Sequence, residues 1–310
     1  MKSQITRFVT ESSAAFADLG TFLPLVLGLV VVTGMDPVGL LYGFGLFALL
    51  TAVVYRRPIP VQPMKAAAAM GIAGLISADA LIATAILMGV ILIALSQTGS
   101  IEWLKRMVPK TVLHGMRLAL AASLLGLLFN DVQIHWIGVL CLTAALIALL
   151  QTPLAGFGCL FVVGAGWWIF GEAVPLSGVS SEWAWPIIRL PNVADFQVGL
   201  TEAVLPQLAL TLTNALILTA VIAKEYFPED AERITESRLA LTSGVANLFF
   251  APIGAMPMCH GAGGLAAHRG LGARTGLSIA IFGGTCLLVA GLFGSKAIVL
   301  LASIPAEVLA

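Results

Sequence analysis

Charge is what this sequence has least of. Its 310 residues hold 16 lysines and arginines and 16 aspartates and glutamates, 10% of the chain, for a formal net charge of zero. A soluble domain carries about a quarter charged residues, so an ordinary soluble fold is excluded. The zero balance argues against a nucleic-acid partner. Cysteine is equally sparse. Cys141, Cys159, Cys259 and Cys286 stand singly in apolar stretches. No CxxC spacing occurs, so neither a zinc site nor a disulfide framework is indicated, and the four read as small buried apolar residues. Catalytic motifs are missing as well: there is no HExxH and no GxSxG with a histidine partner. His114, His135, His260 and His268 lie far apart without metal-ligand spacing. No enzyme activity, cofactor or metal is therefore expected. Lys2 and Arg7 precede an apolar run without a small-residue cleavage pattern, which does not read as a secretory signal. The strand alternation of an outer-membrane barrel is absent too.

What the chain does have is apolar length. Apolar residues make up 59% of it, and mean hydropathy is +1.01. Apolar segments recur at 14–32, 38–54, 64–76, 81–95, 112–129, 134–150, 154–170, 200–223, 239–251, 258–267 and 277–293. A bilayer-spanning helix needs about 20 residues, and backbone inside lipid must satisfy its own hydrogen bonds, so these read as helices of a polytopic all-α membrane protein.

With the N-terminus placed in the cytoplasm, alternate loops put Lys2, Arg7, Arg56, Arg57, Lys105, Arg106, Lys110, Lys224, Arg233, Arg238, Arg269 and Arg274 inside, and only Arg189 and Lys296 outside. That bias follows the positive-inside rule and supports a cytoplasmic N-terminus; the expected location is a bacterial-type inner (plasma) membrane. The count requires 64–76 and 258–267 to serve as one crossing each, although both are short. The mixed-sign stretch 224–238 reads as a solvated loop. Trp167, Trp168, Trp183 and Trp185 read as interfacial aromatics, and Arg117 as a snorkelling residue.

The two short segments carry the most information. PIPVQPMKAAAA at 58–69 and PIGAMPMCHGAG at 252–263 share four of their first seven positions at an offset of 194. FLPL at 22–25 resembles VLPQ at 204–207, offset 182, and VPKTVL at 108–113 resembles IPAEVL at 304–309, offset 196. Three landmarks in one order imply an internal duplication. An odd number of crossings separates the copies, so they are inverted, and short Pro/Gly-broken segments at matching places point to a binding site. Helices 112–129, 134–150 and 154–170 find no partners before Ala310, so the second copy reads as incomplete, through truncation or as a working partial half.

Asp18-Leu-Gly-Thr-Phe-Leu-Pro24, Pro60-Val-Gln-Pro-Met-Lys65, the stretch from Leu205 to Asn214 and that from Gly254 to Gly264 resemble the molybdate transporter family, a branch related to the SulP sulfate permeases. The resemblance runs from Ala14 to about Ala310. It implies a seven-plus-seven inverted repeat of the uracil-permease type, in which a core domain moves against a gate domain and substrate sits between two half-helices. On this chain the core falls at 11–98 and 199–294, and the gate at 99–198 and, truncated, 295–310. Ala209 stands where the family resemblance would have a proline. The implied function is secondary active transport of a tetrahedral oxyanion, molybdate or sulfate, coupled to protons. Nucleobase or bicarbonate carriage on the same fold, or an anion channel, are the alternatives. The partners are the oxyanion and the lipid bilayer; a homodimer is compatible.

A half-helix that begins inside the membrane presents unpaired N–H groups and the positive end of its dipole, which suits a dianion. The N–H groups at 64–67 and 259–263 are therefore the candidate seat, with Met64, Ala66, Cys259, Gly261 and Gly263 in contact with substrate. Lys65 is read either as an anion attractor or as the partner of Asp18 or Glu202. Gln62 either donates to an oxyanion or bonds the broken backbone. Asp18, Glu202 and His260 are candidates for proton coupling, and His260 for direct contact with substrate, against structural roles. Thr211 and Asn214 line the site or bond between helices.

Overall fold

The computed structural model describes residues 2–101, 135–152, 154–171 and 182–309, with 115 and 118 singly. The segment 112–129, the landmark 108–113, and Lys105, Arg106, Lys110, His114 and Arg117 lie outside the described residues. The helices are α1 (Lys2–Ala14), α2 (Leu19–Thr33), α3 (Pro37–Tyr55), α4 (Lys65–Ile72), α5 (Ala78–Gln97), α6 (Trp136–Leu150), α7 (Gly158–Phe170), α8 (Val193–Tyr226), α9 (Glu236–Phe250), α10 (Ala262–Gly270), α11 (Leu277–Phe293), α12 (Ala297–Ala302) and α13 (Ala306–Leu309). Two-residue strands, β1 (Gln62–Pro63) and β2 (Met258–Cys259), precede α4 and α10.

Local chemistry sets the boundaries. Asp36 accepts the Val38 N–H at 3.1 Å, with Pro37 at the first helical position, and so opens α3. Ser77 accepts from Ala80 at 3.1 Å and opens α5. Gly34, at φ 69°, ends α2 in the left-handed conformation that glycine adopts without strain. Among the described residues, Gln4–Thr33, Pro37–Tyr55, Ala78–Gln97, Val193–Tyr226 and Leu277–Ala302 are long and apolar enough to cross a membrane. The apolar segment at 239–251 lies in the 15-residue α9, which buries Glu236, Ser243 and Asn247.

α8 is not uniform. Two π-helical stretches, Gly199–Val204 and Thr211–Leu218, flank Leu205–Leu210, which contains Pro206. A proline lacks the N–H that would close its turn. Widened turns of this kind concentrate at functional positions, and nothing in the apolar pattern announces them.

The two halves interlock by exchange. α3 packs on α11 and α5 on α9, so the second long helix of each half lies against the last long helix of the other. Each crossing has a glycine pair. A Cβ on Gly45 would stand 2.9 Å from the Gly283 carbonyl oxygen, and one on Gly283 2.8 Å from that of Gly45. Gly89 and Gly244 meet in the same way, at 3.0 Å in each direction. Without a hydrophobic drive between helices in lipid, such close approach is how membrane helices gain packing energy.

Contacts at one end prove the inversion. Glu11, in the last part of α1, which leads into α2 as one long helix (Gln4–Thr33), accepts the N–H groups of Arg274 (3.0 Å) and Thr275 (2.9 Å). The Arg274 carbonyl accepts from Arg57 at 3.1 Å. Arg57 also grips Asp230 at 2.5 Å and Glu229 at 2.6 Å, both just beyond α8. The first helix of one half therefore starts at the end where the first helix of the other half finishes. α4 runs toward the far end of α2, with Gly71 beside Leu29 and Thr33. α10 runs the opposite way: Arg269 lies over the Tyr226 ring at 5.6 Å and Gly272 abuts Thr10.

Candidate functional site

The starts of α4 and α10 are held side by side. β1 and β2 pair antiparallel, Gln62 opposite Cys259 and Pro63 opposite Met258. The Met64 N–H donates to the Pro257 carbonyl at 2.9 Å. Proline punctuation keeps 58–61 out of helix up to the ladder. In the second half Pro252 sits in a 3-10 turn (Ala251–Ile253) that Gly254 ends at φ 92°, so only 255–257 lead without helix into the ladder, and helix resumes after it. The duplicated motifs are thus joined, not merely similar.

The register carries one departure from the sequence match. Lys65 opens α4, but α10 opens at Ala262, an offset of 197 rather than 194. Cys259 therefore sits in β2, outside the helix. Gly261, extended at φ −151°, is the residue before the first turn of α10.

Each start meets a polar side chain from the opposite half. At α10, the Gln62 carboxamide donates to the Asp18 carboxylate at 2.5 Å. Both press on the helix start: a Cβ on Gly264 would meet Asp18 Oδ2, Gln62 Nε2 and Pro60 within 2.9 Å, and one on Gly261 would collide with the Gln62 amide. Glycine is demanded here by close approach. Lys65 is near enough to Asp18 to act on it electrostatically. At α4, the carboxamide oxygen of Gln207 accepts the N–H groups of Ala66 (2.8 Å) and Ala67 (3.2 Å), while its nitrogen donates to the Thr211 hydroxyl at 2.8 Å. Gln207 is a residue the sequence reading passed over. The polar residue set into the apolar run 200–223 was the available clue.

A cavity of about 400 Å³ adjoins α10's start. Asp18, Thr21, Gly263 and Ala267 line it from one side, and Thr143, Cys159, Val162 and Glu307 from the other. Glu307 also accepts the His135 N–H at 3.1 Å.

The remaining candidates divide. His260 is fully buried and both ring nitrogens are engaged, one with the Pro60 carbonyl at 3.0 Å and one with the Thr242 hydroxyl at 2.8 Å, which in turn meets Tyr55 at 2.7 Å. Its place is a strut between the two extended stretches. Asn247 does similar service, clamping Met258 through both backbone groups at 2.8 and 2.6 Å. Glu202 lies exposed in the first π stretch, bonded to Thr201 at 3.2 Å, and the structure does not bring it to the cavity. Asn214 lies in the second π stretch, its carbonyl accepting from Thr219 at 2.9 Å. Trp183 packs on Gly291 and donates to Tyr42, a buttress rather than only an interfacial ring.

Inverted halves, each with a short helix that begins beyond one shared ladder, and a cavity that Asp18 and Glu307 line at that point define an integral membrane transporter of the inverted-repeat class. The fold aligns over its whole length with the transmembrane domain of the cyanobacterial bicarbonate transporter BicA, of the SulP/SLC26 family: 18% identity, TM-score 0.58, covering 86% of that chain. The family model described as "Molybdate transporter of MFS superfamily" matches residues 10–124 and 199–310, and the chain belongs to that molybdate transporter family. The description names the MFS superfamily; the fold is that of the SulP/SLC26 domain. Among curated proteins, Molybdate transporter 2 of Arabidopsis thaliana is 27% identical over 359 residues, covering 97% of this chain and 75% of the relative. Molybdate transporter 1 of the same plant is 27% identical over 351 residues, covering 97% and 76%.

Proposed function

We propose that the protein is a secondary active transporter of a tetrahedral oxyanion, molybdate in the first place and sulfate in the second. In this reading it is proton-coupled and works by alternating access. Its core (11–98 and 199–294) moves, by elevator or rocking motion, against its gate (99–198 and 295–310). The observation that carries the reading is the meeting of two oppositely directed helix starts at the β1–β2 ladder. Two helix N-termini aimed at one locus supply N–H donors and partial positive charge without a ring of arginines. The names of the curated relatives favour molybdate among the anions that would fit.

Asp18 supports the coupling. Its carboxylate stands against the start of α10 and lines the cavity. An ionised carboxylate and a dianion repel each other at one positive end, so binding the anion favours a protonated Asp18. One proton then travels with the oxyanion and offsets part of its charge. The bias of positive loop charges supports a cytoplasmic N-terminus, and Arg57 lies beside Arg274 at one end of the fold.

Binding calorimetry on the purified protein tests the substrate. Molybdate should give a saturable isotherm, sulfate should compete with it, and uracil and bicarbonate should not. Binding of uracil or bicarbonate without molybdate would transfer the protein to another branch of the fold.

A further inference from the structure

The starts of α4 and α10 differ in one respect that the symmetry of the sequence does not foreshadow. The cavity reaches α10 through Gly263. α4 is sealed, because the Gln207 oxygen already occupies the N–H groups of Ala66 and Ala67. That oxygen makes the bonds an oxyanion oxygen would make: a single acceptor bridging two adjacent amides at the positive end of a helix. Gln207 is 1% exposed, and the Thr211 hydroxyl holds its amide nitrogen, which fixes the carboxamide with its oxygen toward α4.

We propose that Gln207 is an internal surrogate for the substrate: its carboxamide oxygen holds the α4 seat while no anion is bound there, and it must swing away before an oxyanion can bridge both half-helices. The inference rests on the oxyanion reading above and adds a residue that sets affinity. Gln207 is suited to the task. A neutral amide oxygen satisfies the two buried donors yet binds them more weakly than a charged oxygen, so a dianion can displace it. An empty seat would leave both N–H groups without partners, which a buried backbone rarely tolerates. Gln207 sits in a six-residue α-helical piece, Leu205–Leu210, flanked on both sides by π turns that can absorb its displacement. Thr211 acts through Gln207, as a positioning residue.

Substitution separates this role from the alternatives. In Gln207→Ala the competitor is gone, and molybdate should bind about tenfold tighter, in line with the release of two internal hydrogen bonds. Gln207→Glu installs a charged competitor on the same two donors. Its molybdate affinity should fall at least tenfold at neutral pH and return toward the wild-type value on acidification, as the carboxylate takes up a proton. Thr211→Val should tighten binding by a smaller factor. Calorimetry with sodium molybdate on the whole protein reads all three, and thermal unfolding reports their folding. If Gln207→Ala does not fold, Gln207→Met keeps the side-chain volume without the acceptor and carries the same expectation. Equal or weaker molybdate binding in a folded Gln207→Ala or Gln207→Met overturns the proposal, since Gln207 would then be a strut or itself a ligand. A wild-type protein that binds no oxyanion overturns the transport reading instead.

Discussion

Gln62 faces Cys259 across an antiparallel ladder only two residues long, one residue from each half of the chain. The pairing joins segments separated by almost two hundred residues at the point where two helices begin. Such a bridge inside a membrane is tolerated only where protein surrounds it, and Gln62, Met258 and His260 are accordingly buried. The consequences reach stability, specificity and coupling.

Gly264 should accept no side chain. A Cβ there would press on Asp18, Gln62 and Pro60. Gly264→Ala should weaken molybdate binding about tenfold or more, the scale of an overpacking penalty of 1–3 kcal/mol directed at the site. Calorimetry measures the loss, and an unchanged far-UV circular dichroism spectrum would show the helices intact.

His260 should matter for folding more than for coupling. Its two buried hydrogen bonds tie Pro60 in one half to Thr242 in the other. His260→Ala should cost about 3 kcal/mol of stability through the orphaned partners, seen as a lowered midpoint of thermal unfolding. The pH profile of whatever transport survives should match the wild type. A shifted profile with normal stability would restore His260 as a proton carrier.

Much of this was legible beforehand. Repeated prolines at 58–63 and 252–257 announced two breaks in helix, though the second opens with a 3-10 turn at Ala251–Ile253, and the short apolar runs behind them announced half-helices, because helix propensity and proline's missing N–H act locally. The register was less legible. Identity at Met64 and Met258 suggested equivalent helix starts, yet Met258 pairs in β2 and α10 waits until Ala262. Long-range pairing decided that boundary. Asp18 and Glu202 looked alike by position, but one reaches the cavity and the other faces outward, a difference of helix rotation that chain order does not encode. Gln207 escaped notice because a lone polar residue in an apolar helix has many ordinary uses.

The glycine crossings should be intolerant of bulk. Gly89 and Gly244 meet with no room for a side chain, and Gly89→Leu should destabilise the fold by about 3 kcal/mol through overpacking. Gly284, on α11, whose added Cβ would meet nothing within 4 Å, is the control: Gly284→Ala should leave the unfolding midpoint near that of wild type, whereas Gly89→Ala should lower it.

Asp18 should set the pH response. In proteoliposomes, wild-type molybdate uptake should rise as the outside is acidified, since the anion enters with a proton. Asp18→Asn carries a permanently uncharged amide, and its uptake should lose most of that dependence. A pH profile left unchanged in Asp18→Asn would remove the residue from the coupling step.

The most direct test is crystallographic. Data from protein soaked in molybdate, collected at the molybdenum absorption edge, should show one anomalous peak between the starts of α4 and α10. Its oxygens should lie within hydrogen-bonding distance, about 3 Å, of the Ala66 and Gly263 N–H groups. A well-occupied peak elsewhere in the protein, with that space empty, would contradict the assignment of the two helix ends as the seat of the anion.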